Sequence, residues 1–111
     1  MDMQVLRGTI ATLAASGGLA VAPPALADES ETLMRRSGCF KCHAVERAKL
    51  GPAYREVAEK YRSVADAEQR LFVHLTTGPA IKVDGQEEKH VAMTTATESQ
   101  VRAVARWILS R

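Results

Sequence analysis

The sequence is poor in the residues that build a large core, since its 111 residues include one Trp, two Tyr and two Phe. Long apolar runs are also missing, because the stretch 8–22 is interrupted by Ser16, Gly17 and Gly18 and is short for a transmembrane helix. No charge of one sign dominates, since 15 Lys and Arg oppose 13 Asp and Glu. Bulk electrostatic binding to nucleic acid is therefore not indicated, and the length suits one domain.

The first 27 residues resemble a cleavable secretory signal peptide. A polar start precedes the apolar stretch, and Ala25-Leu26-Ala27 has the small-x-small pattern of a cleavage site. Cleavage there predicts a single mature domain of residues 28–111, which keeps the net charge of +2 because the leader has one acid and one base. The alternative is a retained anchor helix. We expect an exported, periplasmic monomer without a stable membrane span after cleavage.

One motif gives the sharpest functional indication, and it is Cys39-Phe40-Lys41-Cys42-His43. Cys-x-x-Cys-His is the attachment pattern of a c-type haem. Two intervening residues let both sulfurs form thioether bonds with neighbouring vinyl groups, and the adjoining histidine can bind the iron from below. A buried porphyrin would also compensate for the sparse core of so small a domain. Export agrees with this chemistry, and no other cysteine competes with the pair.

The cysteine pair fits three further kinds of site less well. A thioredoxin-like redox pair needs a βαβ unit, whereas the flanking sequence predicts helices. A zinc site needs four ligands, usually in two pairs, and beyond the motif only the unpaired His74 and His90 remain. A disulfide within so short a loop would add little stability and would not require His43.

The mature region predicts about four helices, at residues 28–37, 51–62 and 66–76 and from Thr97 onward. The predicted N-terminal capping pairs are Asp28 with Glu31, Asp66 with Gln69, and Thr97 with Gln100. Proline at the first turn of the second helix, Gly38 after the first helix and Gly78-Pro79 after the third complete these boundaries.

Apolar residues recur at helical spacing on three of these helices and predict their buried faces. The stripes are Tyr54, Val57, Ala58 and Tyr61; Leu71, Phe72 and Leu75; and Val101, Val104, Ala105, Trp107, Ile108 and Leu109. Residues 80–97 show no such periodicity and predict a long loop, with a turn signal at Asp84-Gly85. Loops of this length usually serve a ligand or a site.

The second axial ligand decides what such a haem can do, since a protein ligand favours electron transfer and an open position permits gas binding or peroxide chemistry. Met93, in the predicted loop, is the first candidate, and His90 is the second. The alternative for Met93 is an ordinary place in the core. We interpret His74 as a surface or satisfied side chain, and Met34 as a packing residue of the first helix.

The chain resembles the short, single-haem class I cytochromes c of bacteria, such as the pseudomonad-type carriers. The likeness covers residues 28–111 and rests on three stretches, Gly38-Cys39-Phe40-Lys41-Cys42-His43, Gly51-Pro52-Ala53-Tyr54 and Trp107-Ile108-Leu109-Ser110. It implies an all-α cytochrome c fold around one covalent haem, with histidine–methionine ligation. It also implies that the Pro52 carbonyl accepts a hydrogen bond from His43, and that the first and last helices cross closely at Gly38. One departure is that no proline flanks Met93, so we expect a looser ligand loop.

From these features we expect a diffusible electron carrier that performs no substrate chemistry. A basic rim could steer acidic redox partners, and its candidate members are Lys41, Arg47, Lys49, Lys82 and Lys89. The same charges could instead be ordinary solvated side chains. The competing functions are a haem subunit of an oxidoreductase complex and a haem protein with an open distal site.

Overall fold

The computed structural model describes Gly17 and residues 24–111, and this part of the chain forms five helices and one small sheet. The elements in chain order are α1 (Pro24–Arg36), α2 (Cys39–Cys42), α3 (Tyr54–Tyr61), α4 (Ala67–Thr77), β1 (Ala80–Val83), β2 (Gln86–Lys89) and α5 (Glu98–Leu109). The mostly helical architecture is confirmed. The predicted signal peptide lies outside the described residues, apart from Gly17 and residues 24–27.

Helix α5 lies at the centre of the core, because α1, α3 and α4 all pack against it. Val101 and Val104 of α5 and Met34 of α1 are the largest side chains that are fully buried. The expected packing of the first and last helices is therefore confirmed, as is the packing role of Met34. The expectation that Gly38 lets the first and last helices approach closely is wrong. Its φ of 78° places it in the left-handed region, and an added Cβ would meet only the Lys41 side chain.

Helix α5 begins as its sequence predicts, whereas α1 does not. The Thr97 backbone N–H donates to Gln100 Oε1 at 2.9 Å, and the Gln100 N–H donates to Thr97 Oγ1 at 3.2 Å, so this capping box is confirmed. The predicted cap at Asp28 is wrong, because α1 already starts at Pro24 and Asp28 lies inside it. Alanine and leucine before Asp28 favour helix and carry α1 further toward the N-terminus.

The predicted cap of α4 is also wrong, although the boundaries of the helix nearly match. Asp66 occupies the N-cap position with a left-handed φ of 60° and makes no capping hydrogen bond through its side chain. The Gln69 side chain instead accepts a hydrogen bond from Arg102 Nη2 of α5 at 3.0 Å. Gln69 thus bonds to a residue of α5 instead of capping its own helix. Gly78 ends the helix with φ of 57°, as its sequence predicts.

Helix α3 starts later than expected, at Tyr54 rather than at Pro52. Residues 51–53 form no helix, and this leaves the Pro52 carbonyl outside any helix. The predicted apolar stripe of α3 does face inward, since Tyr54 and Ala58 are buried and Val57 and Tyr61 are half-buried. The late start therefore makes a backbone acceptor available to the neighbouring loop.

The long loop predicted for residues 80–97 is partly wrong, because β1 and β2 form an antiparallel hairpin within it. Asp84 and Gly85 make its two-residue turn with φ of 50° and 77°, which is the backbone that a tight hairpin requires. The turn signal is therefore confirmed. The sequence does not mark the strands, because β2 is exposed along its whole length and has no apolar alternation.

Candidate haem site

The two cysteines lie at the ends of the single-turn helix α2. Gly38 reverses the chain after α1, and the His43 N–H donates to the Cys39 carbonyl at 3.0 Å, which closes the turn. Both thiols are free and half-buried, and both residues line one cavity. Burial raises the pKa of the Cys39 thiol, while hydrogen bonds, first among them one with the Tyr54 side chain, oppose this effect. The turn thus presents two sulfurs to the same space.

His43 is held by its backbone neighbours in one orientation and one tautomer. Its Nδ1 atom lies 2.6 Å from the Pro52 carbonyl oxygen. Because a carbonyl oxygen only accepts, Nδ1 carries the proton and Nε2 keeps a free lone pair. The Tyr54 ring stacks on the imidazole with 4.9 Å between ring centroids and 24° between planes. The side chain is therefore prepared to donate Nε2 to a metal.

The pKa of His43 is lowered, so the neutral form that can bind a metal is favoured. Burial is the main cause, the Pro52 hydrogen bond acts in the opposite direction, and the nearby His90 adds to the lowering. Gly51 lies directly against the ring, since a Cβ there would be 2.5 Å from His43 Cε1. Only glycine leaves room for the imidazole in this position.

The loop between the motif and α3 is fixed by backbone hydrogen bonds. The Gly51 N–H donates to the Cys42 carbonyl at 2.7 Å, and the Tyr54 N–H donates to the Ala44 carbonyl at 2.9 Å. Lys49 Nζ also donates to the Phe40 carbonyl at 2.7 Å. These contacts fold the loop back under the cysteine turn and place the Pro52 carbonyl beside His43.

A mainly apolar cavity of about 560 Å³ opens next to the cysteine turn. The side chains at its wall come from every part of the fold, and they include Met34 of α1, Leu71 and Leu75 of α4, Ile81 and Val83 of β1, and Ile108 of α5. The hairpin that the sequence did not predict therefore forms one side of the cavity.

Both candidate distal ligands line this cavity. Met93 is only 4% exposed, and its N–H donates to the Leu75 carbonyl at 2.7 Å. His90 is half-buried, and its N–H donates to the Pro79 carbonyl at 2.9 Å. The structure thus brings Cys39, Cys42, His43, Met93 and His90 to one site, with the Pro52 carbonyl behind His43.

His74 belongs to the same site, so of its two predicted positions, a surface or a satisfied side chain, the surface one is wrong. It lines the cavity from α4 and is half-buried, with its ring centroid 4.5 Å from that of His90. Burial, followed by the nearby His90, lowers the pKa of His74. The signal was present in the sequence, because Leu71, His74 and Leu75 have the i, i+3, i+4 spacing of one helix face.

The charges around the cavity are mixed in sign. Lys82 and Lys89 line it together with Lys60, but Glu56 and Glu88 do so as well. The other predicted rim members are exposed near the cysteine turn, and they are Lys41, Arg47 and Lys49. The five cations thus flank the site without forming a purely basic surface.

Residues 24–111 and the isolated Gly17 contain neither a membrane-spanning helix nor a metal-binding cluster of side chains. No helix there combines the length and apolar character that crossing a bilayer demands. Within the same residues, no three side chains of the His, Cys, Asp and Glu types come together in a metal-binding cluster.

Comparison with known proteins gives a consistent set of relatives. The family described as Cytochrome c matches residues 27–111. Cytochrome c-551 of Stutzerimonas stutzeri is 36% identical over 101 residues, 91% of this chain and 93% of that protein. Cytochrome c-551 of Allochromatium vinosum is 50% identical over 60 residues, 54% of this chain and 62% of that protein. The crystal structure of the class 1 cytochrome MtoD from Sideroxydans lithotrophicus ES-1 has a TM-score of 0.73 and 45% identity, and the match covers 75% of this chain and 92% of that one.

Proposed function

This chain belongs to the cytochrome c family, and from that premise we propose that it is a periplasmic one-electron carrier with its iron between His43 and Met93. It is an electron carrier rather than an enzyme, and it carries one covalently attached haem c. The observation that carries the ligand proposal is the 2.6 Å contact between His43 Nδ1 and the Pro52 carbonyl. That contact leaves Nε2 as the only imidazole nitrogen of His43 able to bind iron.

The residues at the site fit a haem. Two free thiols stand on one helical turn, burial lowers the pKa of the adjoining imidazole, and the cavity beside them is large and mainly apolar. Gly51 leaves the space that the imidazole ring needs. When bound, the haem supplies a reversible one-electron couple. We assign Cys39 and Cys42 to the thioether bonds and His43 and Met93 to the axial positions.

The protein's own groups tune that couple. The Pro52 carbonyl orients His43 and raises its donor strength, because an imidazole whose other nitrogen donates a hydrogen bond is more basic. Met93 offers a soft thioether, which favours the reduced metal and raises the potential above that of a two-histidine site. The position of Met93 supports its assignment, since the residue lines the cavity and is only 4% exposed.

Replacement of Met93 tests the histidine–methionine assignment. In the oxidised wild type we expect the weak long-wavelength charge-transfer band of a sulfur–iron bond. Met93→Ala should lose the band completely, because the thioether is gone, while the haem stays attached through both cysteines. Met34→Leu is the matched control, since it alters the other cavity methionine and should retain the band. Survival of the band in Met93→Ala would exclude Met93 as the ligand.

Export is the second part of the proposal, and it rests on the leader. Helix α1 starts at Pro24 and so extends four residues into the predicted signal peptide. Cleavage after Ala27 would remove those residues and leave Asp28 as the first one. We expect N-terminal sequencing of protein from the periplasmic fraction to read Asp28-Glu29-Ser30. A mature protein that still starts at Met1 would support the retained anchor instead.

Redox partners would meet the cavity mouth, where two exposed apolar side chains, Leu50 and Val91, lie among the mixed charges. The basic rim stays a proposal of electrostatic steering. Because Glu56 and Glu88 lie beside Lys82 and Lys89, such steering is weaker than five lysine and arginine charges alone would give.

A further inference from the structure

All three histidines of the chain line one cavity, although a single histidine suffices as the proximal ligand. His74 belongs to α4 and His90 follows β2, and their rings meet edge to face. Placing two imidazoles against a mainly apolar cavity costs desolvation free energy. Nothing in the proposed His43–Met93 ligation uses either of them.

The His90 ring lies at a distance from His43 that one metal ion could bridge. Their ring centroids are 6.2 Å apart. Two imidazoles on opposite sides of one metal have ring centres about 6 Å apart, because each metal–nitrogen bond is about 2 Å and each centre lies roughly 1 Å behind its nitrogen. His74 is in contact with His90 rather than with His43, so His90 is the better placed of the two.

His90 also has the tautomer that a ligand needs. Its Nδ1 lies 2.8 Å from the Val91 carbonyl oxygen, which can only accept a hydrogen bond. In the neutral imidazole Nδ1 therefore carries the proton, and Nε2 is the nitrogen left to bind a metal. This is the same arrangement that Pro52 imposes on His43.

The backbone holds His90 independently of Met93. The Met93 N–H is anchored to the Leu75 carbonyl, while the His90 N–H is anchored to the Pro79 carbonyl, and both acceptors belong to the C-terminal end of α4 or the residues just beyond it. Gly78 packs directly against the His90 carbonyl, since an added Cβ would collide with it. Loss of the Met93 side chain would leave these anchors in place.

We propose that His90 is a reserve axial ligand, which takes the distal position when the Met93 sulfur leaves it. The inference rests on the proposed His43–Met93 ligation. The exchange would break the bond from the Met93 sulfur and form one from Nε2 of neutral His90, without electron transfer. The distal position would therefore stay closed to small molecules, and the second form would have a lower reduction potential because imidazole replaces thioether.

The test uses the mature holoprotein with Met93→Leu, which removes the sulfur but keeps the volume of a buried side chain. This variant is compared with the double variants Met93→Leu/His90→Ala and Met93→Leu/His74→Ala. The readouts are the ferric spin state, the reduction potential and the rate of carbon monoxide binding to the reduced protein. We expect Met93→Leu to lose the sulfur–iron band, stay low-spin, bind carbon monoxide slowly and have a lowered potential. Adding His90→Ala should give a high-spin iron that binds carbon monoxide rapidly, whereas adding His74→Ala should not.

Two results would overturn the inference, and they differ in what they mean for the His43–Met93 ligation. If the wild type shows the sulfur–iron band but Met93→Leu is already high-spin and open to carbon monoxide, His90 has no reserve role and the proposed ligation stands. If the wild type lacks the band and His90→Ala alone makes the iron high-spin, His90 is the resident ligand. The His43–Met93 proposal then fails, and the reserve role fails with it.

Discussion

The double variant Cys39→Ala/Cys42→Ala is expected to retain no haem after extraction under denaturing conditions, and to be largely unfolded. Both proposed thioether bonds depend on these sulfurs, which stand on the single turn of α2. Without haem the protein would keep an apolar cavity of about 560 Å³. Enclosed cavities cost about 24 cal/mol per Å³, so even a quarter of this volume, if it stayed dry, would cost about 3 kcal/mol. Water entering the open mouth reduces this cost.

Even part of that cost matters, because the whole stability of a small domain is about 5–15 kcal/mol. Circular dichroism of the double variant should therefore show a large loss of helix relative to the holoprotein. Lys41→Ala is the matched control, since Lys41 lies between the two cysteines on the same turn, is exposed and forms no thioether. Haem that resists denaturing extraction from the double variant would contradict the attachment site.

Gly51→Ala is expected to disturb the proximal side of the proposed haem site without replacing any proposed ligand. The added Cβ would lie 2.5 Å from His43 Cε1 and 2.9 Å from its Nδ1. Tyr54 stacks on the imidazole, so the ring cannot move freely and its hydrogen bond to Pro52 must lengthen. Crowding of this kind costs about 1–3 kcal/mol of folding free energy, and a weaker Pro52 bond makes the imidazole a poorer donor.

The expected readouts are a lower denaturation midpoint, a changed Soret spectrum and a higher reduction potential. Gly85→Ala separates these effects from a general loss of stability. Its left-handed φ of 77° predicts a cost of roughly 1–2 kcal/mol, but an added Cβ there meets nothing within 4 Å. That variant should lose stability and keep the wild-type spectrum and potential. An unchanged spectrum and potential in Gly51→Ala would show that the ring tolerates the crowding.

Local chemistry is the reason that some parts of the fold could be predicted from the sequence. The capping box of α5 requires two residues three positions apart, and the turn at Asp84-Gly85 requires a backbone that few residues adopt. Each signal is complete within a few residues. Where a distant part of the chain competes, as Arg102 does for Gln69, the local pattern predicts the wrong partner.

The hairpin shows a second reason why the sequence does not predict the whole fold. Its strand β2 carries polar residues that are all exposed, so the strand has no buried face to mark it. The strand exists because β1, whose Ile81 and Val83 line the cavity, offers a backbone edge with which to pair. We expected a loose loop around Met93 because no proline flanks it. This segment is instead held by the preceding hairpin and by the hydrogen bond from the Met93 N–H to the Leu75 carbonyl.

The candidate site also has a part that the sequence predicts and a part that it does not. The cysteine motif is contiguous, so five consecutive residues are enough to indicate its chemistry, whereas the cavity is assembled from helices and strands far apart in the chain. His74 illustrates the difference. Its spacing from Leu71 and Leu75 predicts that it faces inward, but only the tertiary structure shows that His90 meets it there.

The function proposed for this chain depends on a haem that both cysteines hold covalently, with His43 beneath the iron. The sharpest test of this attachment is the intact mass of the exported protein, measured after denaturation together with a thiol assay. We predict the mass of residues 28–111 plus one haem, and no thiol that reacts. A mass equal to the bare polypeptide, with two reactive thiols, would contradict covalent attachment.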